Sequence, residues 1–182
     1  EGGRDGGFER IAVAQAKAGQ YSDALETVER INRPGTSDDA LRGIAVSQAE
    51  AGLFSDALET AQKIREPDSI DAALSLVAGF YAKAGQYSEA FEITDQINGR
   101  ATKGEALEQV AVALANAGQF PEAVETAREI MIGSFQGRAF RNIALVQVEA
   151  GMLTAAIETA LEQPNIRYRV MTLFELSNRL SR

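Results

Sequence analysis

The sequence AKAGQYSDALETVERI, residues 16–31, is written almost unchanged three more times along the chain. AEAGLFSDALETAQKI follows at residues 49–64, AKAGQYSEAFEITDQI at residues 82–97 and ANAGQFPEAVETAREI at residues 115–130. A weaker fifth copy occupies residues 148–163, and successive copies are 33 residues apart. A fixed period of roughly 20 to 50 residues is the signature of a repeat array, in which each unit buries its apolar face against its neighbours.

Each unit predicts two helices, a longer helix A and a shorter helix B. In residues 38–51 the apolar side chains Leu41, Ile44, Ala45 and Ala49 keep a helical rhythm, and residues 55–64 do the same. An Ala-Gly pair separates the two helices, because glycine readily adopts the left-handed conformation that ends a helix. The glycines of this pair are Gly19, Gly52, Gly85, Gly118 and Gly151.

Two further repeated positions predict where the helices begin. Helix B is expected to start at the position of Ser55, where serine suits a helix cap and Pro121 suits the first turn. Helix A is expected to start near Thr36, Ser69 and Thr102, with a capping box formed by Thr102 and Glu105.

Small residues recur where the two helices of a unit are expected to cross. Alanine stands in every unit at the position of Ala12 in helix A and at that of Ala24 in helix B. Helices pack more closely where the contact residues are small. These alanines therefore predict a tight A–B contact, with larger side chains filling the space beside it.

The spacing and residue types resemble the tetratricopeptide repeat, over residues 8–182. In the first unit the matching residues are Phe8, Ile11, Ala12, Gln15, Gly19, Tyr21, Ala24 and Val28. The period of 33 departs from the usual length of about 34 residues, and the tyrosine of helix A is kept only at Tyr81. The resemblance implies an all-α, right-handed superhelical solenoid of stacked antiparallel helix pairs, with five pairs and a C-terminal capping helix.

The same periodicity predicts the domain organisation. Residues 1–7 form a glycine-rich, flexible leader, and residues 8–182 form a single repeat domain, in a chain expected to be a piece of something longer. The capping helix is expected to expose Glu175, Asn178 and Arg179 to solvent. The unit boundaries are expected near residues 8–34, 35–67, 68–100, 101–133 and 134–165, with the capping helix over residues 166–182.

Composition argues against several classes of function. The chain has no cysteine and no histidine, which removes thiolate ligands, the commonest metal ligand and the commonest general base. We therefore expect no enzyme activity, no metal and no cofactor. The net charge of -8 disfavours binding to nucleic acid. The sequence has no run of eighteen apolar residues, so no membrane insertion is expected and the protein is expected to be soluble, in the cytoplasm or the periplasm. A row of glutamates at Glu26, Glu59, Glu92, Glu125 and Glu158 is interpreted as a solvated helix face.

The resemblance implies a partner-binding groove lined by helix A. Its floor is small and apolar, and its sides are polar. Two interpretations stay open: the groove binds an extended or helical peptide of mixed charge, or the alternating charges partly neutralise one another. The candidate residues are Asp39, Arg42, Val46 and Glu50 in the second unit, Ser75 and Lys83 in the third, Glu108, Val112 and Asn116 in the fourth, and Arg138, Arg141 and Glu149 in the fifth.

Two aromatic residues form a second candidate contact. Phe135 and Tyr168 occupy the helix-start position that holds Thr36, Ser69 and Thr102 in the other units. Solvent-exposed aromatics close to each other indicate a binding patch. Packing against the preceding helix B is the favoured explanation.

The leading functional hypothesis is a non-enzymatic scaffold that binds a protein or peptide partner. The first alternative is a self-assembling, homo-oligomeric module, because residues 166–182 carry four arginines against one glutamate and could meet the acidic body of another copy. The second alternative is a regulatory domain of a larger enzyme.

Overall fold

The computed structural model describes residues 2–180 and shows eleven helices and no strand within them. Long and short helices alternate along the chain, as the repeat predicted. The A helices are α1 (Gly2–Lys17), α3 (Pro34–Glu50), α5 (Pro67–Lys83), α7 (Arg100–Asn116), α9 (Gly133–Glu149) and α11 (Ile166–Leu180). The B helices are α2 (Tyr21–Glu29), α4 (Phe54–Gln62), α6 (Tyr87–Gln96), α8 (Phe120–Glu129) and α10 (Leu153–Leu161).

The helices stack as a solenoid. Every A helix packs against the next A helix, and every B helix packs between the A helix of its own unit and the A helix that follows. The fold class is therefore the expected one, an all-α stack of antiparallel helix pairs. The division into one domain with the stated unit boundaries stays a prediction.

The turn between helix A and helix B is closed by the repeated glycine. Gly52 has φ of 78°, and the glycines at the same position in the other four units have φ between 76° and 80°. The Leu53 N–H donates to the Gln48 carbonyl at 2.9 Å and the Gly52 N–H to the Ala49 carbonyl at 3.0 Å. This is the Schellman pattern, which satisfies the last carbonyls of helix A and needs a residue without a Cβ. The predicted Ala-Gly stop is confirmed.

The predicted helix starts are only partly right. The B helices begin one residue before the serine position, and no Ser or Thr side chain caps them. The A helices begin at Pro34, Pro67 and Arg100, about two residues before the expected starts, and the predicted capping box at Thr102 is wrong. The N-cap of α7 is Gly99, and no side chain of its own helix caps it.

A buried aspartate from the preceding A helix takes over this capping role. The carboxylate of Asp71 accepts hydrogen bonds from the backbone N–H of Asn98 at 3.2 Å and of Gly99 at 2.6 Å. Asp38 accepts equivalent bonds from Arg65 and Glu66 before α5. The first backbone N–H groups of a helix lack partners within it, so a carboxylate held there satisfies them.

An equivalent contact involves residues 2–7, which were predicted to form a flexible leader. Residues 2–7 lie in the first turns of α1, and Asp5 within them is 2% exposed. Its carboxylate accepts from the backbone N–H of Arg33 at 3.0 Å, just before α3. The prediction of a flexible segment is therefore wrong for residues 2–7, because Asp5 is the first member of the capping series. Glu1 of that segment, and Ser181 and Arg182 of the predicted capping helix, lie outside the described residues.

The small residues lie where the helices cross. The alanines at the Ala12 and Ala24 positions are 0% exposed in all five units, as expected for the tight A–B contact. Buried apolar residues form one cluster from Ala12 to Ile143 and a second, smaller one that reaches Leu176.

The C-terminal helix differs from the expected polar cap. Glu175 and Arg179 contact protein as well as solvent. Glu175 forms an ion pair with Arg141 of α9, and Arg179 forms one with Glu149. The free face of α11 carries large apolar side chains instead, namely Ile166, Val170, Met171 and Phe174.

Candidate partner-binding groove

The predicted groove residues lie on the layer of A helices, which the stacking brings side by side. The floor of the groove lies where side chains of one A helix approach the backbone of the next. A side chain at position 79 would collide with the side chain of Gln109 on α7, so Gly79 is what lets that amide lie across α5. The Gln109 amide also reaches the hydroxyl of Ser75, which is 2% exposed, at 3.4 Å. Val46 and Val112 are half-buried on the same layer.

Most of the charged groove residues are held in ion pairs. Arg138 on α9 binds Glu108 on α7 in a bidentate manner, at 2.9 Å from Nε and 2.6 Å from Nη2. Hydrogen bonding to Glu108 raises the pKa of Arg138, which keeps this pair charged. Arg42 pairs with Asp39 within α3 at 2.7 Å. The alternating charges expected to neutralise one another belong to another row, which includes Glu50 and Lys83, so that interpretation stays a prediction.

Two further pairs link α9 to α11. The Arg141 guanidinium lies 2.6 Å from one carboxylate oxygen of Glu175 and 2.9 Å from the other. Arg179 lies 2.7 Å from Glu149. Glu175 and Arg179 were not among the predicted groove residues. Repeat position is the signal that could have found Glu175. Ser75 and Arg141 share one repeat position, and their partners Gln109 and Glu175 share another.

Lys83 is the exception among the predicted groove cations. Within residues 2–180 it forms no ion pair, and its ammonium lies 5.0 Å from the centre of the Phe80 ring. Glu50 and Asn116 are likewise exposed. An ion pair in place must be broken before a partner can use its cation, whereas an exposed lysine needs only to shed water.

Two adjoining depressions meet at Lys83. One has a volume of about 470 Å³ and is lined by Tyr87, Ala113 and Asn116 among others. The second, of about 260 Å³, adds Glu108, Gln109, Val112 and Asn142. The structure thus brings three other predicted residues, Glu108, Val112 and Asn116, around Lys83. The side-chain amides of Asn116 and Asn142 are able to bind a peptide backbone.

The second candidate contact is explained by packing. Phe135 lies over Gly104, where an added Cβ would come within 3.3 Å of its ring, and it stacks under the Arg138 guanidinium at 4.6 Å. Tyr168 lies over Gly137 in the same way, at 2.5 Å from such a Cβ. Both glycines occupy the position of the capping aspartates Asp5, Asp38 and Asp71. The aromatics therefore pack at the junction between consecutive A helices, against a glycine of the preceding helix A. The expected contact with helix B stays a prediction.

A larger depression, of about 620 Å³, lies on the opposite layer between α8 and α10. Sequence reasoning did not single it out. Phe120, Val124 and Met152 line it, and Arg128 at its rim is paired with Glu125 at 2.6 Å and Glu162 at 2.7 Å. Since its cation is already paired, this depression offers less to an ionic ligand than the one at Lys83.

The described residues hold no metal cluster and no membrane-spanning helix. No three or more aspartates or glutamates converge within residues 2–180 as they would around a metal ion. In the same residues, none of the helices has both the length and the apolar character needed to cross a bilayer.

No protein-family model matches the sequence, and no curated protein matches it. Among solved structures, the chain is similar to MamA MSR-1, with 18% identity and a TM-score of 0.45 over 97% of this chain and 98% of that one. MamA AMB-1 gives 18% identity and a TM-score of 0.45 over 100% of this chain and 93% of that one. A second crystal form of MamA AMB-1 gives 20% identity and a TM-score of 0.42 over 84% and 92% of the two chains. The likeness extends along most of both chains.

Proposed function

We propose that the chain is a non-enzymatic scaffold that binds an extended peptide of a partner protein along its A-helix layer. The observation that carries this proposal is the unpaired Lys83 between two adjoining depressions. An ammonium that forms no ion pair favours a carboxylate from the partner, so the bound segment is acidic.

The surroundings of Lys83 support the same assignment. The carboxylate of Glu108 lies in the smaller depression, but its bidentate pairing with Arg138 offsets its charge. Asn116 and Asn142 supply amides that can donate to and accept from an extended backbone. Val112 and Ala113 supply the apolar floor between them.

Selection from a displayed library of random peptides tests the proposal. We expect the selected peptides to be enriched in aspartate and glutamate and to bind more weakly at high salt. Lys83→Glu should raise the dissociation constant of a selected peptide by about tenfold or more, as measured by fluorescence anisotropy. Lys63→Glu, at the residue that follows α4, is the matched control, because Lys63 lies off the A-helix layer and pairs with Glu59.

Two results would refute the proposed site. One is selected peptides that bind wild type and Lys83→Glu equally well. The other is a selection dominated by basic or neutral peptides whose affinity does not change with salt.

A further inference from the structure

The depression of about 620 Å³ between α8 and α10 is lined by a buried amide whose oxygen has no hydrogen-bond partner. This amide belongs to Gln147, which is 3% exposed on α9, the helix that packs against both. In the first unit the equivalent oxygen, on Gln15, accepts from the Thr27 hydroxyl at 2.8 Å, whereas Thr159 at that position makes no such bond. A buried polar atom without a partner is unfavourable, so a ligand that donates to this oxygen is favoured. The terminal torsion of a glutamine is soft, which lets the amide turn toward the depression.

Another junction of the array shows which group fits beside this position. Tyr81 holds the position of Gln147 two units earlier, and its ring stacks on Phe54 with the ring centroids 4.3 Å apart. Phe120 holds the position of Phe54 and lines the depression. No ring stacks on Phe120 within the described part of the chain. A planar ligand stacked on Phe120 would therefore reproduce a contact that the array already uses.

Smaller residues at two positions help to leave space for such a ring. Val124 on α8 stands where the B helices before it carry larger side chains, namely Leu25, Leu58 and Phe91. Ala155 on α10 stands where the other four B helices carry an acid, namely Asp23, Asp56, Glu89 and Glu122. The resulting volume lies within the range of about 300–1,000 Å³ that is usual for small-molecule sites.

The charges at the rim decide which aromatic ligand is favoured. The Arg128 guanidinium is shared by Glu125 at 2.6 Å and Glu162 at 2.7 Å. Glu158 also lines the depression and forms no ion pair within residues 2–180. Three carboxylates against one cation disfavour an acidic ligand and leave Glu158 able to bind an ammonium. Because these side chains are exposed, most of the affinity is expected from the ring rather than from the charge.

We propose that this depression binds a small aromatic amine. The ring stacks on Phe120 in the space that Tyr81 fills at the other junction, a ring N–H or O–H donates to the Gln147 amide, and the ammonium lies near Glu158. The inference is separate from the peptide site, because Lys83 lies on the opposite layer of helices.

Titration with tryptamine tests the proposal. The chain has no tryptophan, so indole emission reports the ligand alone. We expect the fluorescence anisotropy of tryptamine to rise on binding and to saturate at one site per chain. Indole-3-acetate has the same ring but a carboxylate in place of the amine, and its dissociation constant should be about tenfold higher.

Two variants test the geometry with side chains that the array already holds at the same positions. Val124→Phe should fill the depression and raise the dissociation constant of tryptamine by about tenfold or more. Gln147→Leu removes the acceptor and should raise it by about five- to tenfold. Gln48→Leu is the matched control, because Gln48 is also 3% exposed with an unpartnered oxygen, at a junction that keeps the larger Leu25 and Asp56. Circular dichroism checks that all three variants stay folded.

The outcomes separate this site from the peptide site. Lys83→Glu should leave tryptamine binding unchanged. The proposal is overturned if tryptamine does not bind wild type, or if folded Val124→Phe or Gln147→Leu binds it as tightly as wild type. It is also overturned if Gln48→Leu loses as much affinity as Gln147→Leu, or if indole-3-acetate binds as tightly as tryptamine.

Discussion

Replacing Asp71 with alanine should destabilise the protein by removing the cap of the next unit. The Asp71 side chain is 4% exposed and accepts from two backbone N–H groups, those of Asn98 and Gly99. Each hydrogen bond to a charged group contributes about 1.5–3 kcal/mol. Asn98 is exposed and regains water after the substitution, whereas Gly99 is half-buried. The expected loss in the free energy of unfolding is therefore about 2–4 kcal/mol.

Urea denaturation followed by circular dichroism measures this loss. With a typical slope of about 1–3 kcal/mol per molar urea, the midpoint should fall by about 1–2 M. Asp68→Ala is the matched control, because Asp68 is exposed in the first turn of the same helix and contributes below about 1 kcal/mol. Asp71→Asn keeps one acceptor and should fall between the two.

The amide of Gly99 gives a local readout of the same cap. Its hydrogen exchange should accelerate in Asp71→Ala, because the bond that protects it is the short one at 2.6 Å. Equal stability of Asp71→Ala and Asp68→Ala, with unchanged exchange at Gly99, would refute the capping role.

Three further substitutions test the packing. Gly137→Ala should cost about 1–3 kcal/mol, because its Cβ would lie 2.5 Å from Tyr168, whereas Gly35→Ala in open space should be neutral or stabilising; thermal melts compare them. Ala57→Leu, at a position 0% exposed, should cost about 1–3 kcal/mol, and an unchanged melting temperature would contradict the assigned A–B contact. Burial raises the pKa of Tyr81 above its ordinary value of 10.0, so above that pH the unfolded chain loses this proton first and stability falls. Tyr81→Phe should lose that part of the decline when unfolding is measured against pH, and an identical decline would contradict it.

The features that sequence reasoning found are those set within one unit. Gly52 ends helix A through its own backbone conformation, and Ala57 meets the helix of the same hairpin. Each therefore leaves a local signal that repeats at a fixed position. The start of α7 was missed because its cap comes from the previous unit, as Asp71 is 27 residues from Asn98. The start of α5 also has a local cap, since the Glu66 carboxylate accepts from the Ser69 N–H at 2.8 Å.

For the groove charges too, the sequence predicts what is set within one unit but not what depends on a neighbouring unit. Their placement on the A helices follows from the repeat, but their pairing depends on contacts such as Glu108 with Arg138, 30 residues apart. Contacts between units do leave a signal when repeat positions of neighbouring units are compared. A glycine at the Asp71 position, for example, coincides with an aromatic residue at the next helix start. The free state of Lys83 could not be read from the sequence, since it depends on which neighbours were already paired.

The two kinds of junction restrict how such a chain can lengthen by duplication. A unit that begins with Phe135 or Tyr168 needs a glycine on the helix before it, because an aspartate there would leave no room for the ring. A unit that begins with Ser69 or Thr102 is matched to that aspartate, whose carboxylate accepts the backbone N–H just before the helix, that of Glu66 or Gly99. Copying a unit in tandem preserves the match where its start and its junction residue are of one kind, as with Ser69 and Asp71. The unit that begins with Thr102 and carries Gly104 joins the two kinds, so a second copy placed after it would break the match. The order of units in this array therefore carries information of its own, apart from the identity of the units.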